Sequence, residues 1–327
     1  MDLVYVAPDG KEKGVVQHFE SLDMVTGLSN DAEEHDFRLE VATSDYNFEF
    51  GGWIYIEGTE FGGKIERIET QDTIYYSGKT WRGFLLMKCI EPPSGQAYFN
   101  VNGDAHDVIR QLISGRLGNI YTVKEGLSRI TVSGQIRYEM LGAALNRLLK
   151  AAGARLCIQY IDRSVVLSAE PVTDYSNSIE FSQDYGVKII SDEDRSRYNS
   201  IIALGSGEGT ARHVVKLWLL PNGIITDNAN HPNRPRGENE RQYLYDYPNA
   251  QEDTLRDDAE RQLLEVANQK VFEIDISEMT QNVELGDIVG ARDRRTGLYY
   301  KSDIYKKVFR IDTNGVTITH EVRKEGE

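Results

Sequence analysis

Cysteine is scarce here: Cys89 and Cys157 are the only two in 327 residues. That is too few for a disulfide framework. Both sit singly in apolar surroundings, so the expectation is two buried, reduced thiols. Long apolar runs are missing too. No stretch reaches the roughly 18 apolar residues of a transmembrane helix. The opening MDLVYVAPDG has neither a basic lead nor a long apolar segment, so no secretory signal is visible and folding in a cytoplasm is expected. Basic charge is in deficit. Lys and Arg number 37 and Asp and Glu number 52, so the net charge is 37 − 52 = −15. Binders of nucleic acid or anionic membranes use basic patches to displace counterions, and an acidic balance spread along the chain argues against both. Low-complexity tracts and repeats of roughly 20–50 residues are absent.

Signatures of catalysis are equally thin. The six histidines are His18, His35, His106, His213, His231 and His320, and no pair has the i, i+4 spacing of a helical zinc site. His106 falls in the first turn of an expected helix, where a surface position is the plain reading. Gly205-Ser206-Gly207-Glu208-Gly209 resembles a phosphate loop, but it lacks the Lys-Ser/Thr pair, and a strand-like pattern follows instead of a helix. Asp192-Glu193-Asp194 lacks the alternating oxygens and central glycine of a calcium loop and reads as a solvated turn beside Arg195 and Arg197. No G-x-S-x-G elbow occurs. A pair of carboxylates for glycoside hydrolysis can come from anywhere among 52 acids, so the sequence singles out none. The expectation is no catalytic, cofactor-binding or metal-binding residue.

What the chain does have is a sequence of short, alternating segments. At roughly 150 residues per domain its length suggests two or three domains. Asp2–Ala7, Ser21–Leu28, Phe37–Ala42, Trp53–Glu57, Gly63–Glu69, Thr73–Tyr76 and Trp81–Ile90 read as strands, the last being the longest apolar one. Asp104 caps an expected helix with apolar positions Val108, Ile109, Leu112 and Ile113 and a stop at Gly115. A second helix spans about Arg137–Ala152, ended by Gly153. The strands Arg155–Ile161 and Ser164–Ala169 follow, joined by a two-residue loop at Asp162-Arg163 without the usual glycine. Strands return at Tyr185–Ser191, Tyr198–Leu204 and Arg212–Leu220. Residues 221–250 are polar and hold four of the eight prolines, so a long loop or hairpin extension is expected. A third helix starts at Asp253 or Thr254 with the stripe Leu255, Ala259, Leu263, Val266 and Ala267. Phe272–Ile276 and segments from Gly286 to Val322 read as strand, with turns at Arg294–Gly297 and Asn314-Gly315, the latter the strongest hairpin signal.

Three stretches carry a family resemblance: Gly52–Ile90, with GGWIYIEGTEFGGKIERIE followed by TIYYSGKTWRGFLLMKCIEPP, Asp194–Gly205 with Asn199 opening a strand before a glycine, and Leu285–Arg310. Together with the order of elements they resemble the hub, or tail-tip, proteins of siphoviruses and prophages, relatives of the baseplate hub of contractile tails. The resemblance implies a mostly β, α+β chain with two β-barrel-like tube domains, 1–95 and 171–215 plus 270–327. Two smaller α+β domains, 96–170 and 216–269, would decorate them. It also implies a homotrimer at the tail tip of a virion, made in the bacterial host cytoplasm. The implied partners are a distal tail protein, the tail tube, and a tape-measure protein or tail spike or fibre. DNA would pass the channel without adhering, and three copies would carry 3 × −15 = −45 around it. Larger relatives carry a cell-wall-degrading domain after the hub; this chain ends at Glu327, so such an enzyme is expected on another protein. Two other readings of the residues stay open. One is a cell-wall polysaccharide or peptidoglycan hydrolase using paired carboxylates. The other is a carbohydrate-binding receptor protein exposing tyrosines and the tryptophans Trp53, Trp81 and Trp218 at a surface, although tyrosines that alternate on strands, such as Tyr55, Tyr75 and Tyr299, read as half-buried structure.

Overall fold

Alternation along Asp2–Ala7 does produce a strand, Leu3–Val6, in a computed structural model that describes residues 2–42, 47–70, 72–176, 180–181, 188–194, 197–250, 252–267, 269–275, 283–292, 299–313 and 315–322. The chain divides into two compact units, one of residues 1–188 with 274–322 and one spanning Ile189–Glu273. Strands predominate in both. Among the described residues no sheet closes on itself, so the structure gives a mostly β, α+β chain of several open sheets and not the barrels expected.

The first unit is built around a large sheet. Its neighbours run Arg67–Thr70, Ile74–Lys79, Asp36–Val41, Ser21–Gly27 and then the long strand Tyr299–Asp312. Residues 299–303 of that strand pair with Ile288–Arg292, and 304–312 pair with the last strand, Gly315–Val322. Asn314 of the expected Asn314-Gly315 turn lies outside the described residues; Asp312 pairs with Gly315, which has φ 120°. Alternation sorts the sheet into two faces. Leu22, Met24, Phe37, Leu39, Tyr76 and Phe309 point into one core. A smaller sheet, Glu12–Val15, Leu3–Val6, Trp53–Ile56 and Gly62–Lys64, adds Leu3, Ile54 and Ile56 to it. The two sheets meet at an antiparallel bridge between Gly63 and Thr80. Beside it, a Cβ on Gly78 would press into the carbonyl oxygen of Lys64, far inside van der Waals contact. Gly78→Ala is therefore expected to destabilise by roughly 1–3 kcal/mol, since backbone must move, as read from a urea midpoint.

Trp81–Ile90 is the clearest departure from the sequence reading. Its start forms helix α1, Trp81–Leu85, and only Cys89–Ile90 is strand. A short apolar run fits either period. Here the helical one wins because Trp81 and Leu85 at i, i+4 both enter the core while Arg82 reaches an inward carboxylate. Helix α2, Ala105–Ile113, follows expectation: the Asp104 carboxylate accepts from the His106 N–H, Val108, Ile109, Leu112 and Ile113 are buried, and Gly115 sits at φ 70°. Helix α3, Leu141–Ala151, starts later than Arg137, because Glu139–Met140 pair with Cys89–Ile90 as strand. The strands Ala154–Ile161 and Ser164–Pro171 form the expected hairpin. Its loop residues Asp162 and Arg163 have φ of 49° and 65°, both in the left-handed region that usually favours glycine. These helices and strands share a core with Val6, Tyr55 and Trp81. Tyr160 stacks on Tyr55 at 3.9 Å between ring centroids and on Trp81 at 5.8 Å.

In the second unit, four strands line up as Ile225–Thr226, Val214–Leu219, Ser200–Leu204 and Gln242–Asp246. Helix α4, Glu252–Val266, packs Leu255, Ala259 and Leu263 against Ile201, Ala203 and Leu217. Asn199 does open its strand, donating to Asn239 and accepting from the Arg241 N–H. Within the polar stretch 221–250, Gln242–Asp246 pairs in parallel with Ser200–Leu204, so part of the expected excursion is sheet. The acidic run Asp192–Asp194 ends a strand, Lys188–Asp194, instead of forming a turn. Residues 185–187 of Tyr185–Ser191 and the turn Arg294–Gly297 lie outside the described residues.

Candidate functional site

The residues that drew notice in the sequence do not converge on one place. His35 is fully buried: its Nδ1 accepts from the Gly27 N–H at 3.2 Å and its Nε2 donates to the Ser29 carbonyl at 2.9 Å. Burial pushes its pKa down, so it is held neutral as a spacer between turns. His106 is buried as well, 3.0 Å from the Gly126 carbonyl, which corrects the surface position read from its place in the first helical turn. Gly205 packs beneath Leu255 and the Ala250 carbonyl, a close approach inside the second unit. Trp81 and Trp218 are buried; Trp218 donates to Glu240 at 2.6 Å with the Arg234 guanidinium over its ring at 4.5 Å. Neither tryptophan is an exposed sugar platform. Among the described residues no group of three or more His, Cys, Asp or Glu is placed to hold a metal ion.

The cysteines differ from expectation in burial. Both are free thiols, but Cys89 is exposed and Cys157 only half-buried. Met140 faces Cys89 across a two-residue strand pair, and both side chains are exposed while Ile90 turns into the core. Burial pushes the Cys157 thiol up to about 12, outweighing the Arg155 guanidinium beside it. One thiol per native chain should therefore react quickly with a disulfide reagent at neutral pH, and Cys89→Ser should abolish that fast phase; two fast thiols would contradict the assignment.

Two features do draw distant segments together. The first is a buried ionic cluster. The Arg82 guanidinium lies 3.1 Å from Glu60 Oε2 and donates to the Leu156 carbonyl at 3.1 Å. Lys307 Nζ lies 3.9 Å from Glu60 Oε1 and contacts Glu284, and Thr26 donates to Glu60 at 3.3 Å. Burial alone would push the Glu60 carboxyl up; Arg82, Lys307 and the hydrogen bonds outweigh it and hold it below the usual range. Nearby, Arg155 Nε lies 3.1 Å from the buried Asp287, whose carboxylate also accepts from the Thr173 N–H. These groups tie the C-terminal strands to the rest of the first unit.

The second feature is the outer face of the large sheet and its margins. The paired registers define one continuous row across six strands: Thr317, Arg310, Asp23, Arg38, Ser77 and Arg67. Arg310 Nε and Asp23 Oδ1 are 2.5 Å apart, and Arg38 lies over the Tyr75 ring at 3.9 Å. The next row places Glu40 between Ser21 and Tyr75, both of which donate to it. Signs are mixed on this face, so the acidic excess of the chain is not concentrated there. The sheet ends at Arg67–Thr70 on one side; at the other, Tyr299–Asp312 pairs along 299–303 with Ile288–Arg292, which is followed by Glu180–Phe181, and along 304–312 with Gly315–Val322. Among the described residues no second strand pairs with Arg67–Thr70 or with Gly315–Val322. Open strand edges expose backbone donors and acceptors that can take another strand.

Three solved structures match the chain over nearly its whole length. The 43 kDa tail protein of prophage MuSo2 from Shewanella oneidensis is 16% identical, with 99% of this chain and 98% of that one covered at a TM-score of 0.58. The chain has the fold of a prophage tail protein. A tail protein from Neisseria meningitidis gives 17% identity, 99% and 96% coverage and a TM-score of 0.52. Prophage tail protein gp18 from Listeria monocytogenes gives 14%, 100% and 96%, and 0.50. No family model and no curated protein sequence matches the chain. The sequence resemblance to tail proteins thus holds at the level of the fold.

Proposed function

We propose that this chain is a structural component of a phage or prophage tail tip or baseplate. It acts there as a trimeric hub that continues the tail tube and forms part of the channel for DNA. The observation that carries this reading is the end-to-end match of fold with three tail proteins, two of them from prophages. The open margins of the large sheet support it, since a ring of copies removes edges that a monomer would leave exposed. In this reading 1–95 and 171–215 plus 270–327 form the tube, and 96–170 and 216–269 decorate it. The partners are the distal tail protein, the tail tube, and a tape-measure protein or a spike or fibre. The net charge of −15 per chain disfavours adhesion of the passing DNA.

Labelling purified particles of the parent phage with an antibody against this chain tests the reading. Label confined to the distal end of the tail is expected. Label on the capsid, or intact tails without the chain, would overturn it.

A further inference from the structure

Six of the eight strands of the large sheet alternate strictly antiparallel, from Arg67–Thr70 at one margin to Gly315–Val322, which branches off Tyr299–Asp312. Because the number is even, the two margins run in opposite directions. Rotating a copy about an axis along the strands brings Gly315–Val322 of one chain beside Arg67–Thr70 of the next, antiparallel, with the alternation unbroken. Such a contact uses different surfaces on its two sides, the kind that closes into a ring. We infer that Gly315–Val322 and Arg67–Thr70 of neighbouring copies pair head to tail, so that the large sheet continues from subunit to subunit. The inference rests on the trimeric reading above and names the surfaces that make the trimer.

Side-chain placement selects a register. Alternation puts Ile68 and Thr70 on the core side at one margin, and Val316 and Ile318 on the core side at the other. Setting Ile68 opposite Ile318 places Thr70 opposite Val316, Arg67 opposite Thr319 and Glu69 opposite Thr317. Two half-buried isoleucines then meet, and Val316, 49% exposed in the single chain, is covered. No like charges face each other directly. Arg67, whose side chain is 71% exposed, lies diagonal to Glu321, a distance that a long side chain spans. A one-residue slip would turn Ile68 to the polar face, so the faces fix the register to even steps.

Cysteine pairing tests both the surfaces and the register. In a Cys89→Ser background, the full chain carrying Arg67→Cys and Thr319→Cys together is mildly oxidised and run without reductant. Directly opposed cross-strand residues lie about 4.5–5.5 Å apart at Cβ, close to disulfide reach. Successive pairs alternate between narrow and wide, so Ile68→Cys with Ile318→Cys serves as the second variant. At least one double variant should give a covalent species at three chain masses, 3 × 37.0 = 111 kDa, that reductant dissolves. Each single variant should stay at 37.0 kDa. A single Arg67→Cys or Ile68→Cys variant that cross-links to a dimer would show the same edge pairing with itself and overturn the head-to-tail contact. A trimer by light scattering that neither double variant cross-links would overturn this contact and leave the trimeric reading standing. A monomer by light scattering would overturn both.

Discussion

Glu60→Ala is expected to destabilise the first unit by about 3–5 kcal/mol, the cost of removing one partner from a buried ion pair. Arg82 and Lys307 are only 4% and 6% exposed, and the Glu60 carboxylate is the one group that faces both. Without it, Arg82 keeps the Leu156 carbonyl and Lys307 keeps Glu284, but a buried positive charge loses its counter-ion. Glu60→Gln should fall in between, because the amide retains an acceptor for Thr26 without the charge. The same cluster sets a pH dependence. The Glu60 pKa is lowered in the fold, so its contribution is complete above the ordinary carboxyl value of 4.5 and is lost as pH falls through the lowered folded value. Urea midpoints measured from pH 7 down to pH 3 should therefore decline more steeply in the wild type than in Glu60→Ala. Parallel curves would contradict the role given to this carboxylate.

Phe309→Ala is expected to cost about 3–5 kcal/mol, as a large cavity in a packed core does. Phe309 is fully buried and stacks on Phe61 with ring centroids 4.4 Å apart. Its cross-strand neighbours are Met24 on one side and Ile318 on the other, so one ring ties the C-terminal hairpin to strands near the start of the chain. Loss of the ring should loosen Gly315–Val322 before the remainder of the first unit. Hydrogen exchange should show faster exchange there than across Asp36–Val41. Equal acceleration across the whole unit would indicate that the hairpin is no separate element of stability.

How much of this was legible in the sequence depended on how local the signal was. Helix α2 carried its cap, stripe and terminal glycine within twelve residues, Asp104 to Gly115, and formed as read. Helix α4 and the hairpin at Gly315 were local in the same way. Trp81–Ile90 misled because its eight uncharged residues satisfy both the helical and the extended period, and the choice was made by Arg82 finding Glu60. His106 was placed at the surface by its helical position, yet the segment around Gly126 covers it. The outer row of the large sheet was the least visible. Asp23, Arg38, Arg67, Arg310 and Thr317 form one row only because Tyr299–Asp312 lies beside Ser21–Gly27, a pairing across some 280 positions that no spacing encodes. Glu60, Arg82 and Lys307 share that property. The family resemblance anticipated the tail fold, while the open margins that give it a physical basis emerged only with the sheet order.

Trimeric assembly is the central claim, and the mass of the full chain in solution tests it most directly. Light scattering at micromolar concentration and physiological salt is predicted to give three chain masses, 3 × 37.0 = 111 kDa, stable on dilution across the micromolar range. A persistent 37.0 kDa species from a folded chain would contradict the account.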